Sequence, residues 1–199
     1  MDSWRMVAKF VKSVTRVDDL PFDDKPHVAI VGRSNVGKSS LINHLTQQKS
    51  LAHVSSSPGR TQTVNLFEID RAYYLVDLPG YGYARKSQKI RVDFAEMVRT
   101  YVRKTSQLRR VLLMIDARLG PTDLDRDMLL FLKTHRVPFT IVANKVDKLS
   151  SQQLATLVGG LAVTYPTVPV VTHSVDSAKD RKGVWDAISA AASVPPTAD

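Results

Sequence analysis

The chain of 199 residues contains no cysteine. Without thiols it can form neither a disulfide framework nor a thiolate-ligated zinc or iron–sulfur site, and a reducing compartment suits it. Its longest purely apolar run, Val111–Ile115, is far shorter than the roughly 20 residues needed to span a bilayer, and no signal-peptide pattern opens the chain. We expect a soluble, cytoplasmic monomer without stable membrane association, or an organellar matrix protein if a transit peptide has been removed.

Acidic residues and histidines are also in short supply. The 19 Asp and Glu residues are outnumbered by 28 Lys and Arg, and the formal charge is +9. The five histidines follow no metal-ligand spacing, so they predict no metal site. The stretch from Arg85 to Arg110 contains nine basic residues and only two acidic ones, Asp93 and Glu96. Such a stretch is either a solvated helix face or a surface for an acidic partner such as nucleic acid.

Apolar runs and helical spacing alternate along the chain. The predicted strands are His27–Val31, Thr63–Ile69, Ala72–Asp77, Val111–Asp116, Phe139–Asn144 and Val168–Thr172. The predicted helical segments are Ser39–Gln47, 90–101, Met128–Lys133, Leu154–Leu161 and Val184–Ala191. Only two residues separate the second and third strands, which predicts an antiparallel hairpin. The alternation predicts an α/β fold: a six-stranded, mostly parallel sheet with one antiparallel strand and helices on both faces.

The predicted domain occupies residues 27–193, with an N-terminal extension at 1–26 and a flexible tail at 194–199. The extension mixes apolar residues (Trp4, Val7, Val11, Val14) with basic ones (Arg5, Lys9, Lys12, Arg16). This pattern fits a basic amphipathic helix on a membrane, or a short strand or helix packed on the domain. We favour the packed arrangement.

One segment carries the strongest motif: Gly32-Arg33-Ser34-Asn35-Val36-Gly37-Lys38-Ser39, between a predicted strand and a predicted helix. It matches the phosphate-binding loop G-x-x-x-x-G-K-[ST] in the context that the motif requires. The glycines allow successive backbone N–H groups to point at phosphate oxygens, and the helix N-terminus adds its positive dipole end. Lys38 supplies charge to the β- and γ-phosphates, and the Ser39 hydroxyl is a ligand for Mg²⁺.

Three further motifs indicate which nucleotide is bound. In Asp77-Leu78-Pro79-Gly80, of D-x-x-G form, the carboxylate can hold a water on Mg²⁺ and the glycine N–H can reach the γ-phosphate. In Asn144-Lys145-Val146-Asp147, of N-K-x-D form, the last carboxylate can accept from guanine N1–H and its 2-amino group, which adenine lacks. Ser177-Ala178-Lys179 supplies backbone N–H groups for guanine O6. Together, in this order, the motifs predict GTP.

Three segments give the chain a family resemblance. They are Gly-Arg-Ser-Asn-Val-Gly-Lys-Ser-Ser at 32–40, Pro-Gly-Arg-Thr-Gln-Thr at 58–63 and Asp-Leu-Pro-Gly-Tyr-Gly-Tyr-Ala at 77–84. The chain resembles the translation-factor-class P-loop GTPases, and specifically the EngB (YihA or YsxC) family of ribosome-biogenesis GTP-binding proteins. The resemblance runs from about Phe10 to Gly183. It implies a Ras-like GTPase domain over 27–193, and the large ribosomal subunit or its precursor as partner.

The resemblance also implies roles that the motifs alone do not give. It adds Ser40 to the phosphate loop and lines the phosphates with Gly59, Arg60, Thr61, Gln62 and Thr63. Thr61 closes on Mg²⁺ when GTP is bound, so the implied metal ligands are Ser39 and Thr61. Two departures stand out: Asn144 occupies a position where the family often has Thr, and the 174–179 segment is longer than the family's usual Ser-Ser.

Four residues are predicted to serve hydrolysis: Lys38, Thr61, Gly80 and Asn35. Ras-like proteins place a Gln after D-x-x-G to orient the attacking water, whereas this chain has Tyr81. We therefore expect slow intrinsic GTP hydrolysis that the ribosomal partner stimulates. Related GTPases use an Asn at position 35 to hold a potassium ion between the phosphates, which would neutralise developing charge. The alternative is that Asn35 only shapes the loop.

The basic stretch follows the 77–84 segment directly, so Arg85, Lys86 and Lys89 lie at the second switch of such a GTPase. On a helical wheel Lys89, Arg99 and Arg103 oppose the apolar face, which favours a salt-sensitive contact with ribosomal RNA backbone. Three functions stay open. The protein is a GTP-hydrolysing factor for large-subunit assembly, a nucleotide-gated ribosome- or RNA-binding checkpoint with negligible turnover, or a membrane- or division-associated GTPase.

Overall fold

A computed structural model describes residues 6–21, 23–52, 63–82 and 88–193. Several of the predictions above lie outside the described residues. They concern Gly59, Arg60, Thr61, Gln62, Arg85, Lys86, the first five residues and the tail at 194–199.

The described residues form seven strands and five α-helices. The strands are β1 Ala8–Val14, β2 His27–Gly32, β3 Val64–Ile69, β4 Tyr73–Asp77, β5 Leu108–Asp116, β6 Phe139–Asn144 and β7 Val170–His173. The helices are α1 Lys38–Thr46, α2 Gln88–Lys104, α3 Asp123–Thr134, α4 Ser151–Thr164 and α5 Ala178–Ala192. Short 3₁₀ turns cover Val17–Asp19 and Val146–Lys148.

The strands form one sheet in the order β1-β3-β4-β2-β5-β6-β7. Strands β2, β4, β5, β6 and β7 pair in parallel, and β3 is antiparallel to both β4 and β1. Among the described strands β3 is thus the one that runs against the others. The predicted hairpin is confirmed: Asp70 and Arg71 both have positive φ, 49° and 59°, as a two-residue type I′ turn requires.

The α/β class and the mostly parallel sheet are confirmed, but the predicted count of six strands is wrong. The additional strand β1 comes from the segment assigned to an N-terminal extension, and it pairs with β3 along the sheet edge. Its periodicity is concealed because its register shifts between Phe10 and Lys12, and only its two end residues, Ala8 and Val14, are buried. A bulged edge strand shows little of the apolar alternation from which strands are predicted.

Helices cover both faces of the sheet. Buried side chains of α1 and α5 pack on one face, and those of α2, α3 and α4 pack on the other. Strands β2 and β6 are buried along their whole length, which explains their continuous apolar runs. Since five parallel strands end at the same edge, that edge collects their last residues. These are Gly32, Asp77, Asp116, Asn144 and His173.

Candidate functional site

The phosphate loop, residues 32–39, links β2 to α1 at this edge. Asn35 and Gly37 adopt left-handed backbone conformations, with φ of 64° and 108°. A Cβ atom on Gly37 would lie 2.5 Å from Asn144 Nδ2, so only glycine fits there. No backbone carbonyl of the described residues accepts the N–H of Asn35 or Gly37. The loop therefore has the curled geometry and the available donors of an anion site.

The D-x-x-G segment is tied to this loop by backbone hydrogen bonds. Leu78 N–H donates to Ile30 O at 3.1 Å, and Ser34 N–H donates to Tyr81 O at 2.8 Å. These bonds carry Gly80 across the loop, where a Cβ atom would lie 2.9 Å from Lys38 Nζ. The structure thus brings Gly80 and Lys38 together, at the place where the motifs predict the γ-phosphate.

Asp77 and Lys38 form the charged centre of the phosphate half. Burial raises the pKa of the Asp77 carboxyl, while Lys38 and a hydrogen bond with Asn65 oppose the shift. Desolvation lowers the pKa of Lys38, and Asp77 opposes that shift. Asp77 Oδ1 is buried without a hydrogen-bond partner among the described residues. A buried carboxylate oxygen of this kind fits a water or cation as its partner.

The base half begins with Asn144 at the end of β6. Its Nδ2 donates to Val36 O at 2.7 Å, which joins the N-K-x-D segment to the phosphate loop. Its Oδ1 lies 2.7 Å from His173 Nδ1. Both Asn144 and His173 are buried. The first N-K-x-D residue therefore connects two strands and the loop rather than facing solvent.

Lys145 holds the same two parts together through charge. Its Nζ donates to Asn35 O at 3.0 Å and to Asp116 Oδ2 at 2.8 Å. Although burial opposes the charge of Asp116, hydrogen bonds from Arg118 and Lys145 hold the pKa of its carboxyl well below its usual range. Arg118 makes that contact through two nitrogens, at 2.9 and 2.6 Å. Asp116 is thus a fixed anion beneath the Lys145 ammonium.

Asp147, the predicted guanine acceptor, is accessible to solvent. Lys148 Nζ lies 2.8 Å from Asp147 Oδ2. Hydrogen bonds with Lys148 and, to a smaller extent, with Ser174 lower the pKa of this carboxyl. It is therefore ionised at neutral pH and accepts hydrogen bonds only, as two base N–H donors require.

The Ser177-Ala178-Lys179 segment forms the start of α5. Ser177 Oγ accepts a hydrogen bond from Asp180 N–H at 3.1 Å, so Ser177 caps the N-terminus of α5. Ala178 and Lys179, in the first turn of that helix, line a cavity of about 470 Å³ together with Trp185. The serine beside Asp147 is Ser174, directly after β7.

Tyr81, in the position where Ras-like proteins have Gln, faces away from the loop. Its side chain is buried and its hydroxyl donates to Asp125 Oδ1 at 2.8 Å. Asp125 in turn closes the capping box of α3 by accepting from Thr122 N–H and Oγ1–H at 3.0 and 2.7 Å. Tyr81 therefore acts as a structural link to α3 and offers no group to an attacking water.

Sequence reasoning missed four residues of the site: Asp116, His173, His44 and Ser174. Asp116 ends a predicted strand and His173 directly follows another, and this position was the available signal. His44 could not be found that way, because its partner His173 lies 129 residues away. Only the fold brings those two histidines together.

Among the residues that the structure describes, no group of three or more His, Asp or Glu is placed to hold an ion. In the same part of the chain no helix is long and apolar enough to cross a membrane.

A phosphate loop, a D-x-x-G turn and an N-K-x-D segment, meeting at the carboxyl edge of a Ras-like sheet, define a P-loop GTPase. Comparison with known proteins specifies it further. The profile of the family described as 50S ribosome-binding GTPase matches residues 27–145. The chain is 43% identical over 180 residues to a probable GTP-binding protein EngB of Pelobacter propionicus, covering 89% of this chain and 90% of the relative. It belongs to the EngB family of GTP-binding proteins.

Other comparisons agree. A probable GTP-binding protein EngB of Geobacter sulfurreducens is 41% identical over 185 residues, covering 92% of this chain and 90% of the relative. The crystal structure of a probable GTP-binding protein engB superposes with a TM-score of 0.70 at 19% identity, over 83% of this chain and 98% of that one. Era in complex with MgGDPNP and nucleotides 1506–1542 of 16S ribosomal RNA gives a TM-score of 0.68 at 25% identity, over 87% of this chain and 59% of Era.

Proposed function

We propose that this GTPase is a switch in assembly of the large ribosomal subunit. The observation that carries the proposal is the convergence of the phosphate loop, Gly80 and the N-K-x-D segment at one edge, in a chain whose family is described as 50S ribosome-binding. Era, a structural neighbour, was crystallised with ribosomal RNA. GTP closes the switch on its partner, and hydrolysis releases it.

The residues present fit a magnesium ion beside the phosphates. Asp77 Oδ1 is buried without a partner among the described residues, next to the loop that carries Ser39. Ser39 and Thr61 would ligate the ion, and Asp77 would hold one of its waters. When bound, Mg²⁺ neutralises charge on the β- and γ-phosphates. Thr61 lies outside the described residues, so its part rests on the family resemblance, as do the phosphate contacts of Gly59, Arg60 and Gln62.

Intrinsic hydrolysis is slow in this proposal, because Tyr81 is hydrogen-bonded to Asp125. Asn35 is exposed at the tip of the loop, and Lys145 fixes its backbone carbonyl at 3.0 Å. A potassium ion held by the Asn35 side chain would supply the positive charge that an arginine finger supplies to the transition state in other GTPases. Turnover measured in KCl and in NaCl at equal ionic strength tests this role, and equal rates would reject it.

The surface proposed to bind ribosomal RNA is the described part of α2. Arg99 is exposed and stacks its guanidinium 5.6 Å from the Phe131 ring centre. Arg103 is exposed but paired with Glu96 at 2.6 Å. Arg109 is buried in β5, so the basic stretch does not form a single surface throughout. The RNA contact therefore rests on the helix and not on the strand that follows it.

Co-sedimentation with purified large and small ribosomal subunits tests the proposal. The protein is loaded with a non-hydrolysable GTP analogue, with GDP or with no nucleotide, at two salt concentrations. We expect analogue-dependent, salt-sensitive binding to the large subunit alone. Binding to neither subunit in any nucleotide state would contradict the proposal, and flotation with lipid vesicles would then test the membrane alternative.

A charge-reversal variant locates the surface. Arg99→Glu combined with Arg103→Glu is expected to weaken large-subunit binding about tenfold or more and to leave GTP affinity unchanged. The matched control is Lys182→Glu on α5, which also removes an exposed, ion-paired cation from a helix, on the other face of the sheet. Equal binding by the double variant and the control would reject α2 as the contact.

The second candidate is a nucleotide-gated checkpoint with negligible turnover. The Tyr81–Asp125 hydrogen bond favours it, because the residue that would orient water is held elsewhere. Multiple-turnover assays with and without large subunits separate the two. Faster GTP hydrolysis in the presence of the subunit supports the assembly GTPase, and negligible hydrolysis with and without it supports the checkpoint.

A further inference from the structure

A series of hydrogen bonds runs from the phosphate loop to β6, β7 and α1; the two bonds of Asn144 are buried and the bond between the two histidines is partly buried. Val36 O accepts from Asn144 Nδ2 at 2.7 Å, and Asn144 Oδ1 lies 2.7 Å from His173 Nδ1. His173 Nε2 lies 2.8 Å from Nδ1 of His44, on α1. Asn144 and His173 are almost entirely excluded from solvent, at 3% and 0% exposure. The polar atoms of Asn144 and His173 must therefore find their hydrogen-bond partners within the protein and not in bulk water.

Elementary donor and acceptor chemistry fixes every proton in this series of hydrogen bonds. A carbonyl oxygen only accepts, so the group of Asn144 that faces Val36 O is the NH₂. The Asn144 carbonyl then faces His173, whose Nδ1 must carry a proton. Neutral imidazole has one N–H, so His173 Nε2 is an acceptor and His44 Nδ1 is its donor. Burial lowers the pKa of His173 to about 4, which keeps it neutral at physiological pH.

We propose that His173, held in one tautomer by His44, is a positioning residue that fixes the orientation of the Asn144 amide and thereby seats the N-K-x-D segment on the phosphate loop. Asn144 lies directly under Gly37, where its Nδ2 would be 2.5 Å from a Cβ. A rotated amide would place its oxygen against Val36 O, and two acceptors repel. His173 prevents this rotation because its Nδ1–H can donate a hydrogen bond to the amide oxygen but not to the amide NH₂.

These hydrogen bonds explain why an asparagine at position 144 needs a partner that a threonine would not need. A threonine there can donate its hydroxyl proton to the Val36 carbonyl and presents a methyl group on its other side. Asparagine presents a carbonyl on that side, and a buried carbonyl needs a donor. His173 supplies that donor, so Asn144 and His173 function as a pair.

A double-mutant cycle tests the pairing, with affinity for fluorescent GDP and GTP as the readout. His173→Phe leaves the Asn144 carbonyl unpaired and is expected to weaken both nucleotides about tenfold. Asn144→Thr alone leaves the His173 N–H unpaired and is expected to do the same. The double variant removes both unpaired groups and is expected to return within about threefold of wild type. Additive losses in the double variant would overturn the proposal.

Two controls keep the cycle interpretable. His135→Phe changes an exposed histidine at the end of α3 and is expected to leave affinity unchanged. Thermal unfolding of each nucleotide-free variant shows whether it is folded at the assay temperature. If His173→Phe is unfolded, the double variant still decides: a folded double variant with near-wild-type affinity supports the pairing, and an unfolded one rejects it.

A spectroscopic readout tests the tautomers directly in the unaltered protein. Long-range ¹H–¹⁵N correlation spectra at pH 7.5 distinguish protonation at Nδ1 from protonation at Nε2 of each imidazole. We expect His173 as a single Nδ1–H tautomer, and a mixture of tautomers in His44→Phe, which lacks the donor to Nε2. An Nε2–H tautomer of His173 in the wild type would overturn the proposal.

Discussion

The two halves of the nucleotide site are built in different ways. The phosphate half consists mainly of backbone: a curled loop with Asn35 and Gly37 at positive φ, and Gly80 brought beside Lys38 by strand-like hydrogen bonds. The base half consists of side chains joined across strands, with Asn144 bonded to His173 and Lys145 bonded to Asp116. A site made of backbone depends on a few local residues, whereas a site made of side chains depends on partners far away in sequence.

The largest expected effect is in the phosphate half. Lys38→Ala removes the charge that faces the phosphates and leaves buried Asp77 without its cation. We expect at least about tenfold weaker binding of GTP, since a hydrogen bond to a charged group such as a phosphate contributes about 1.5–3 kcal/mol. Titration with fluorescent GTP measures it. Affinity within threefold of wild type would show that the loop backbone suffices.

The second-largest effect is expected where the phosphate half contacts the base half, between Gly37 and Asn144. Gly37→Ala places a methyl group 2.5 Å from Asn144 Nδ2 at a φ of 108°. We expect a loss of about 1–3 kcal/mol in the free energy of unfolding and weaker binding of GTP. The matched control is Gly159→Ala in α4, where a Cβ would meet nothing within 4 Å. That control is expected to stabilise the protein by up to about 1 kcal/mol, and equal losses in both variants would refute the contact with Asn144.

A charge change in the base half is expected to be milder. Asp116→Asn removes the anion under Lys145 and Arg118, whose side chains are 28% and 49% exposed, so solvent screens the loss. We expect GDP affinity to fall about three- to tenfold, more at low salt than at high salt. Asp186→Asn is the control, since its partner Lys182 forms an equally short pair whose two side chains are 67% and 64% exposed. A loss of GDP affinity no larger than that of the control would show that Asp116 does not contribute to nucleotide binding.

A dependence of stability on pH is expected in both halves. Burial lowers the pKa of His27, which opens the strand leading to the phosphate loop, to about 4, as it does for His173 in the base half. Each histidine protonates near pH 6.5 when unfolded, so the unfolded state gains protons first and the stability falls as pH drops from 6.5 towards 4. Each contributes a slope of up to about 1.4 kcal/mol per pH unit.

Urea unfolding at several pH values measures these slopes. His27→Phe keeps a ring against Tyr74 but cannot titrate, and it also leaves the Tyr101 hydroxyl without its partner. We therefore expect a lower absolute stability and a flatter dependence on pH below 6.5. An unchanged slope would show that His27 is not buried in its neutral form.

The same contrast explains what could be predicted from sequence. The phosphate loop and Asp77-Leu78-Pro79-Gly80 are contiguous motifs whose spacing encodes their geometry, and the structure places Gly80 beside Lys38. The partners of Asn144 and Lys145 are contributed by other strands and helices, so no local pattern identifies them. The sequence did not distinguish the edge strand β1 from a short packed helix for a related reason: its bulge removes the alternation that marks a strand.

The bond between Tyr81 and Asp125 has a mechanical consequence. Asp125 is held by two hydrogen bonds from Thr122 at the first turn of α3, so it cannot follow Tyr81 freely. Any movement of Tyr81 with Gly80 must either break a buried hydrogen bond to a carboxylate or pull the start of α3 with it. The first route costs the free energy of that hydrogen bond, and the second costs the work of displacing the first turn of α3. The energy needed to change state is therefore set by α3 as well as by the nucleotide.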